Sequence, residues 1–137
     1  MTISVGQQLP PWGLASVSRE KMKTMAPILG DPNPSHFDVD AVRALGMGDR
    51  PVNQGPNNLG YVMNMLAQWS GSHERLLGIR VRFLANVLGD DEVIARGEVT
   101  DVQTEGERVV AQCAVELVLG DGTPALSGTA RVDVTDL

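Results

Sequence analysis

The chain is 137 residues long, 42% hydrophobic with a mean hydropathy of -0.05, and carries a formal net charge of -6 with a pI near 4.7. These values predict one soluble domain over residues 1–137, long enough to bury a core and with no apolar run that could cross a bilayer. The acidic balance argues against nucleic acid as a partner, because phosphate contacts need clustered Lys and Arg.

The opening MTISVGQQLPPW has neither the basic start nor the apolar centre of a secretion signal, so the cytoplasm is the expected compartment. Leu9 to Ser18 reads as a first strand, placed at a sheet edge by Pro10 and Pro11, which lack the N–H a central strand needs. Ser18 caps a short helix in which Met22, Met25 and Leu29 follow helical spacing, and Pro27 is expected to kink or end it. A stiff loop, GDPNPSHFD from Gly30 to Asp38, follows. Asp38 then caps a second short helix with Val42 and Leu45 on one face and Gly46 as its stop.

The longest helical signal runs from Gly55-Pro56 to Trp69. Leu59, Val62, Met63, Leu66 and Trp69 form its apolar stripe, Pro56 suits the first turn, and Gly71 suits the exit. No charged residue interrupts it, and a helix without a charged face is usually wrapped by other structure. The second half alternates with the period of strands: Ile79, Val81 and Phe83 against Arg80 and Arg82, then Val93 to Thr100, then Val109 to Leu119. Gly120-Asp121-Gly122 turns the chain into a last strand ending near Val134. An uncharged helix followed by long antiparallel strands predicts an α+β fold in which the sheet wraps one buried helix, the hot-dog arrangement.

Several chemistries find no support. The one cysteine, Cys113, sits in an alternating apolar run and reads as core packing. His36 and His73 are far apart and lack the partners of a metal site, and no Gly-rich phosphate loop is present. The basic spots at Arg19, Lys21 and Lys23 and at Arg80 and Arg82 read as solvated surface, although a small anionic group could also meet them.

Two features suggest chemistry. Asp31 and Asn33 each precede a proline, which keeps both out of the right-handed helical region and presents Asp31 and His36 in a defined geometry. An imidazole beside a carboxylate suits general acid/base work, although the same loop also serves as a plain turn between helices. The second feature is Gln54-Gly55-Pro56-Asn57-Asn58 at the head of the long helix, where unpaired N–H groups and the positive end of the dipole gather. Pro56 has no N–H, so the Gly55 amide is the natural donor to a developing oxyanion. Its bland reading is simply a helix start.

The run Gly30-Asp31-Pro32-Asn33-Pro34-Ser35-His36-Phe37-Asp38, followed by Ala44-Leu45-Gly46 and Gln54-Gly55, resembles the MaoC-like (R)-specific enoyl-CoA hydratases and 3-hydroxyacyl-thioester dehydratases. The resemblance continues through the helix into Val81-Arg82-Phe83. It implies a hot-dog fold that dimerises, reversible hydration of trans-2-enoyl thioesters, and no metal or other cofactor, with coenzyme A or acyl carrier protein as the substrate's carrier. It assigns catalysis to Asp31 and His36, the oxyanion hole to the Gly55 amide, and supporting or substrate-proximal places to Asn33 and Gln54. Relatives usually carry an aliphatic residue at Ser35 and a histidine at Gln54; both departures bear on the acyl group taken. Rival expectations are a hot-dog acyl-CoA thioesterase and the catalytic subunit of a heteromeric dehydratase that needs its partner. The first is disfavoured because Gly55 to His73 contains no carboxylate.

Overall fold

The computed structural model describes residues 2–137. Five strands form one sheet in the order β1-β3-β4-β5-β2, every neighbouring pair antiparallel: β1 (Trp12–Leu14), β2 (Leu76–Phe83), β3 (Val93–Glu105), β4 (Arg108–Leu119) and β5 (Pro124–Asp133). Three helices precede β2: α1 (Arg19–Leu29), α2 (Val39–Ala44) and α3 (Gly55–Ser70). The sheet packs on α3, the long helix, which touches every strand, giving the hot-dog-like α+β arrangement that the pattern predicts.

The core lies between α3 and the concave face of the sheet. On β4, Ala111, Cys113, Val115 and Leu117 are buried, as strand alternation requires, with Val93, Ala95 and Val99 of β3 beside them. β3 runs past Thr100 to Glu105 because a bulge between Val99 and Asp101 shifts the pairing register by one residue. The inward row then changes from odd to even numbers and brings Val102 opposite Ala111. At Gly97 a Cβ would come within 3.1 Å of Met65 Cε, so the helix rests on the sheet at a position without a side chain.

Some elements differ from expectation for identifiable reasons. The first strand is short. Leu9 bonds the Gly97 carbonyl at 2.8 Å, Pro10 and Pro11 interrupt, and pairing resumes only over Trp12–Leu14, at the sheet edge. Pro27 lies inside α1 without ending it; the helix stops at Gly30, whose φ of 62° is left-handed. Asp38 does cap α2, accepting from the amides of Asp40 and Ala41. Leu45, expected beside Val42, is exposed. On α3 the buried set is Asn58, Val62, Met65, Leu66 and Ser70, rotated from the apolar stripe because an asparagine goes inside. Leu59 and Met63 sit on its flank, half-buried.

Candidate active site

The loop between α1 and α2 is built almost entirely by its own hydrogen bonds. Asp31 N–H donates to Ala26 O at 2.9 Å and closes the end of α1. Asp31 Oδ1 accepts from Asn33 N–H at 3.0 Å, and Asn33 Oδ1 accepts from Ser35 N–H at 3.1 Å, capping the 3₁₀ turn Pro34–His36. These Asx-type turns use one oxygen of each side chain. Asp31 is thereby left with Oδ2, which lies 3.1 Å from His36 Nε2.

His36 is buried and fixed from its other side, where Nδ1 meets Val52 O at 2.6 Å. A carbonyl oxygen only accepts, so Nδ1 must carry a proton. The Nε2–Oδ2 contact then needs a second proton, on one atom or the other. With both in place, the dyad as a unit holds one transferable proton. The loop is stitched to the same segment once more, because Val52 N–H donates to Ser35 O at 2.8 Å. That segment is anchored in turn: Asn53 N–H donates to Val87 O at 2.7 Å and Gly89 N–H to Pro51 O at 2.8 Å.

Three residues beyond Val52 stands Gly55, the first residue of α3. Gln54 is the N-cap, but its side chain makes no capping bond. It is 1% exposed and turned inward, donating from Nε2 to Met22 O at 2.8 Å and accepting from Asn57 Nδ2 at 3.0 Å. Pro56 has no N–H and Asn57 N–H folds back on Gln54 O, so the Gly55 amide is the first-turn donor that no hydrogen bond among the described residues uses. The ring of Phe83, at the end of β2, lies over it: a Cβ on Gly55 would stand 3.3 Å from the ring.

The structure thus brings Asp31 and His36 into direct contact and ties both to the strand of chain that leads into Gly55. Asn33 is different. It is exposed, and its side-chain oxygen is engaged with Ser35 N–H, shaping the loop without reaching His36. Gln54 joins α1 to α3 from within. Asp31 also lines a groove of about 650 Å³ with Ala26, Pro27, Pro32, Phe37 and Lys23, mostly apolar and open to solvent.

Sequence reading did not point to Val52, whose carbonyl fixes the imidazole tautomer; a backbone group leaves no mark in residue type. It also did not point to the buried network in which Asn53 Nδ2 donates to Asn58 Oδ1 at 2.8 Å and to Tyr61 Oη at 3.1 Å. The run of asparagines at the helix head was its only trace. Among the described residues no group of acids, histidines and cysteine is arranged to hold a metal ion, and no helix is long and apolar enough to cross a membrane.

The five-stranded antiparallel sheet packed on α3 defines the hot-dog-like class of fold. Residues 5–119 match the MaoC like domain, and the chain belongs to that family of hydratases and dehydratases. The (R)-hydratase from A. caviae involved in PHA biosynthesis has a similar structure, with a TM-score of 0.83 and 23% identity over 96% of each chain. The ChsH1-ChsH2 complex from Mycobacterium tuberculosis contains a chain similar with a TM-score of 0.78 and 22% identity, over 97% of this chain and 98% of that one. A UPF0336 protein of Streptomyces avermitilis is 44% identical over 45 residues, a stretch that spans 33% of this chain and only 30% of that relative.

Proposed function

We propose that the protein interconverts trans-2-enoyl thioesters and (R)-3-hydroxyacyl thioesters, with coenzyme A or acyl carrier protein as the carrier. The observation that carries this reading is the Asp31–His36 pair with its tautomer fixed by Val52 O. The pair can take one proton from water and give one to carbon without changing its own total. In the hydration direction the Nε2 lone pair removes a proton from water as its oxygen bonds Cβ. The electron pair of the double bond moves toward the thioester, and the Gly55 N–H stabilises the negative charge on its oxygen. Asp31 delivers the proton to Cα, and the proton held on His36 passes back to Asp31. Asn33 and Gln54 act from behind, the first shaping the loop and the second holding α1 against the helix head.

The (R) configuration follows the structural relatives named (R)-hydratases. Hydrolysis of the thioester is less well served, because α3 offers no carboxylate to activate water at the carbonyl carbon.

In this reading the protein pairs with a second hot-dog subunit, a copy of this chain or a different one. β2 is an edge strand; Phe83 at its end, over Gly55, is 53% exposed and Leu84 after it 49%. A partner there would cover an apolar rim and shield the site from water. The ChsH1-ChsH2 complex is an assembly of different subunits in a structural relative.

The test is product analysis in heavy water. A trans-2-enoyl-CoA should give the (R)-3-hydroxyacyl thioester with one deuterium at Cα. A free acid together with free coenzyme A would overturn the reading in favour of hydrolysis.

A further inference from the structure

Besides the groove that Asp31 lines, a second cavity of about 410 Å³ runs between α1 and α3, lined by Lys21, Met25, Pro56, Asn57, Tyr61 and Asn64 among others. Pro56, the residue after Gly55, is part of its lining, and Met25, Pro56 and the Tyr61 ring contribute apolar surface to it. Its hydrogen-bonding groups have capacity to spare. Asn57 uses its Nδ2 on Asn53 Oδ1 and Gln54 Oε1, each at 3.0 Å, which leaves its Oδ1 unengaged among the described residues. Tyr61 Oη accepts from Asn53 Nδ2 and donates to no described residue; burial keeps the phenol protonated, so the O–H remains a donor. The amide of Asn64 bonds no described residue at all, offering a donor and an acceptor on one wall.

Of these groups Tyr61 is the one placed firmly. The Tyr61 ring stacks on Trp12 with centroids 5.5 Å apart, and its hydroxyl is held by Asn53, which is itself buried against Asn58. At a helical rise of about 1.5 Å per residue, Tyr61 and Asn64 stand roughly 9 and 14 Å along the axis from Gly55. A substituent held there would lie several carbons beyond the double bond. A plain alkyl chain in this groove would cover unpaired amide and hydroxyl groups without replacing their bonds to water, which is costly.

We infer that the groove between α1 and α3 receives the distal acyl chain and that Asn57, Tyr61 and Asn64 select chains bearing a hydroxyl or keto group there. This rests on the hydratase reading and specifies its substrate class: an oxygenated acyl thioester in preference to a plain fatty one.

The experiment uses trans-2-enoyl-CoA thioesters matched in chain length, with and without a distal hydroxyl, and calorimetric binding of their saturated counterparts. The parent protein is expected to favour the hydroxylated member about tenfold in kcat/KM and in affinity. In Asn64→Leu that ratio should fall toward one. Tyr61→Phe, which removes only the hydroxyl, should lower it too and covers the case in which the leucine variant does not fold. A parent ratio of one or less overturns the inference. So does an Asn64→Leu variant that weakens both coenzyme A thioesters alike yet treats the corresponding N-acetylcysteamine thioesters as the parent does, since the groove would then hold pantetheine. If the parent hydrates none of these thioesters, the functional reading fails, and the affinity ratio still decides what the groove binds.

Discussion

Gln54→Leu tests whether the buried polar bridge behind the helix head holds the fold together. Leucine is shorter than glutamine but of comparable volume, and it removes both side-chain bonds, one to Met22 O and one from Asn57 Nδ2. Neither partner is wholly stripped: a carbonyl has a second lone pair, and Asn57 keeps its bond to Asn53. The loss is therefore two net hydrogen bonds at about 1 kcal/mol each, with a range of roughly 1–3 kcal/mol for the pair. With a urea dependence of about 2 kcal/mol per molar for a small protein, the unfolding midpoint should fall by roughly 1 M at unchanged slope. Far-ultraviolet circular dichroism across a urea series reads this directly. A midpoint equal to the parent's would refute the bridge as a stabilising element, and a changed slope would show that the variant alters the compactness of an end state.

Further predictions concern the sheet and the thiol. A Cβ on Gly128 would collide with the backbone of Arg80 and Val81, so Gly128→Ala should pry β2 from β5. Loss of amide protection along Leu76–Phe83 in hydrogen exchange would report it, and parent-like protection there would count against the close approach. Cys113 has no exposed surface, and burial pushes its thiol up from 9.0 to about 11. The folded pKa is thus raised, so this contribution to stability is fully present below pH 9 and is lost as pH rises toward 11. Folding stability should decline over that interval less steeply in Cys113→Ala, and iodoacetamide should label the parent at neutral pH only once urea unfolds it. Labelling of the native protein at the rate of a free thiol would contradict its burial.

The architecture was legible because its signals are periodic. The alternation Val109, Ala111, Cys113, Val115, Leu117 marks the inward row of β4, and a charge-free helix flanked by Pro56 and Gly71 marks α3. What the sequence concealed depends on single hydrogen bonds. Hydrophobicity turned Leu59 inward, whereas its neighbour Asn58 is the buried one, 3% exposed, because Asn53 and Tyr61 form a network around it. The two prolines placed β1 at an edge but gave no measure of how much pairing they would cost. Pro27 was expected to disturb α1, yet the left-handed Gly30 and the Asp31–Ala26 bond set the end of that helix. At the site, Asp31, His36 and Gly55 could be singled out from residue type and prolines alone. The partition of Asp31 between Asn33 N–H and His36, and the carbonyl that fixes the imidazole, exist only in three dimensions.

The most direct measurement follows ultraviolet absorbance of a trans-2-enoyl-CoA and free thiol in the same wells, comparing the parent with Asp31→Asn. The asparagine keeps an oxygen for Asn33 N–H but cannot take part in proton transfer with His36, so folding should survive while chemistry does not. Enoyl absorbance should be lost without thiol release, about 100-fold or more slowly in the variant. Near-parental turnover by Asp31→Asn would contradict it, as would thiol appearing in step with the absorbance change.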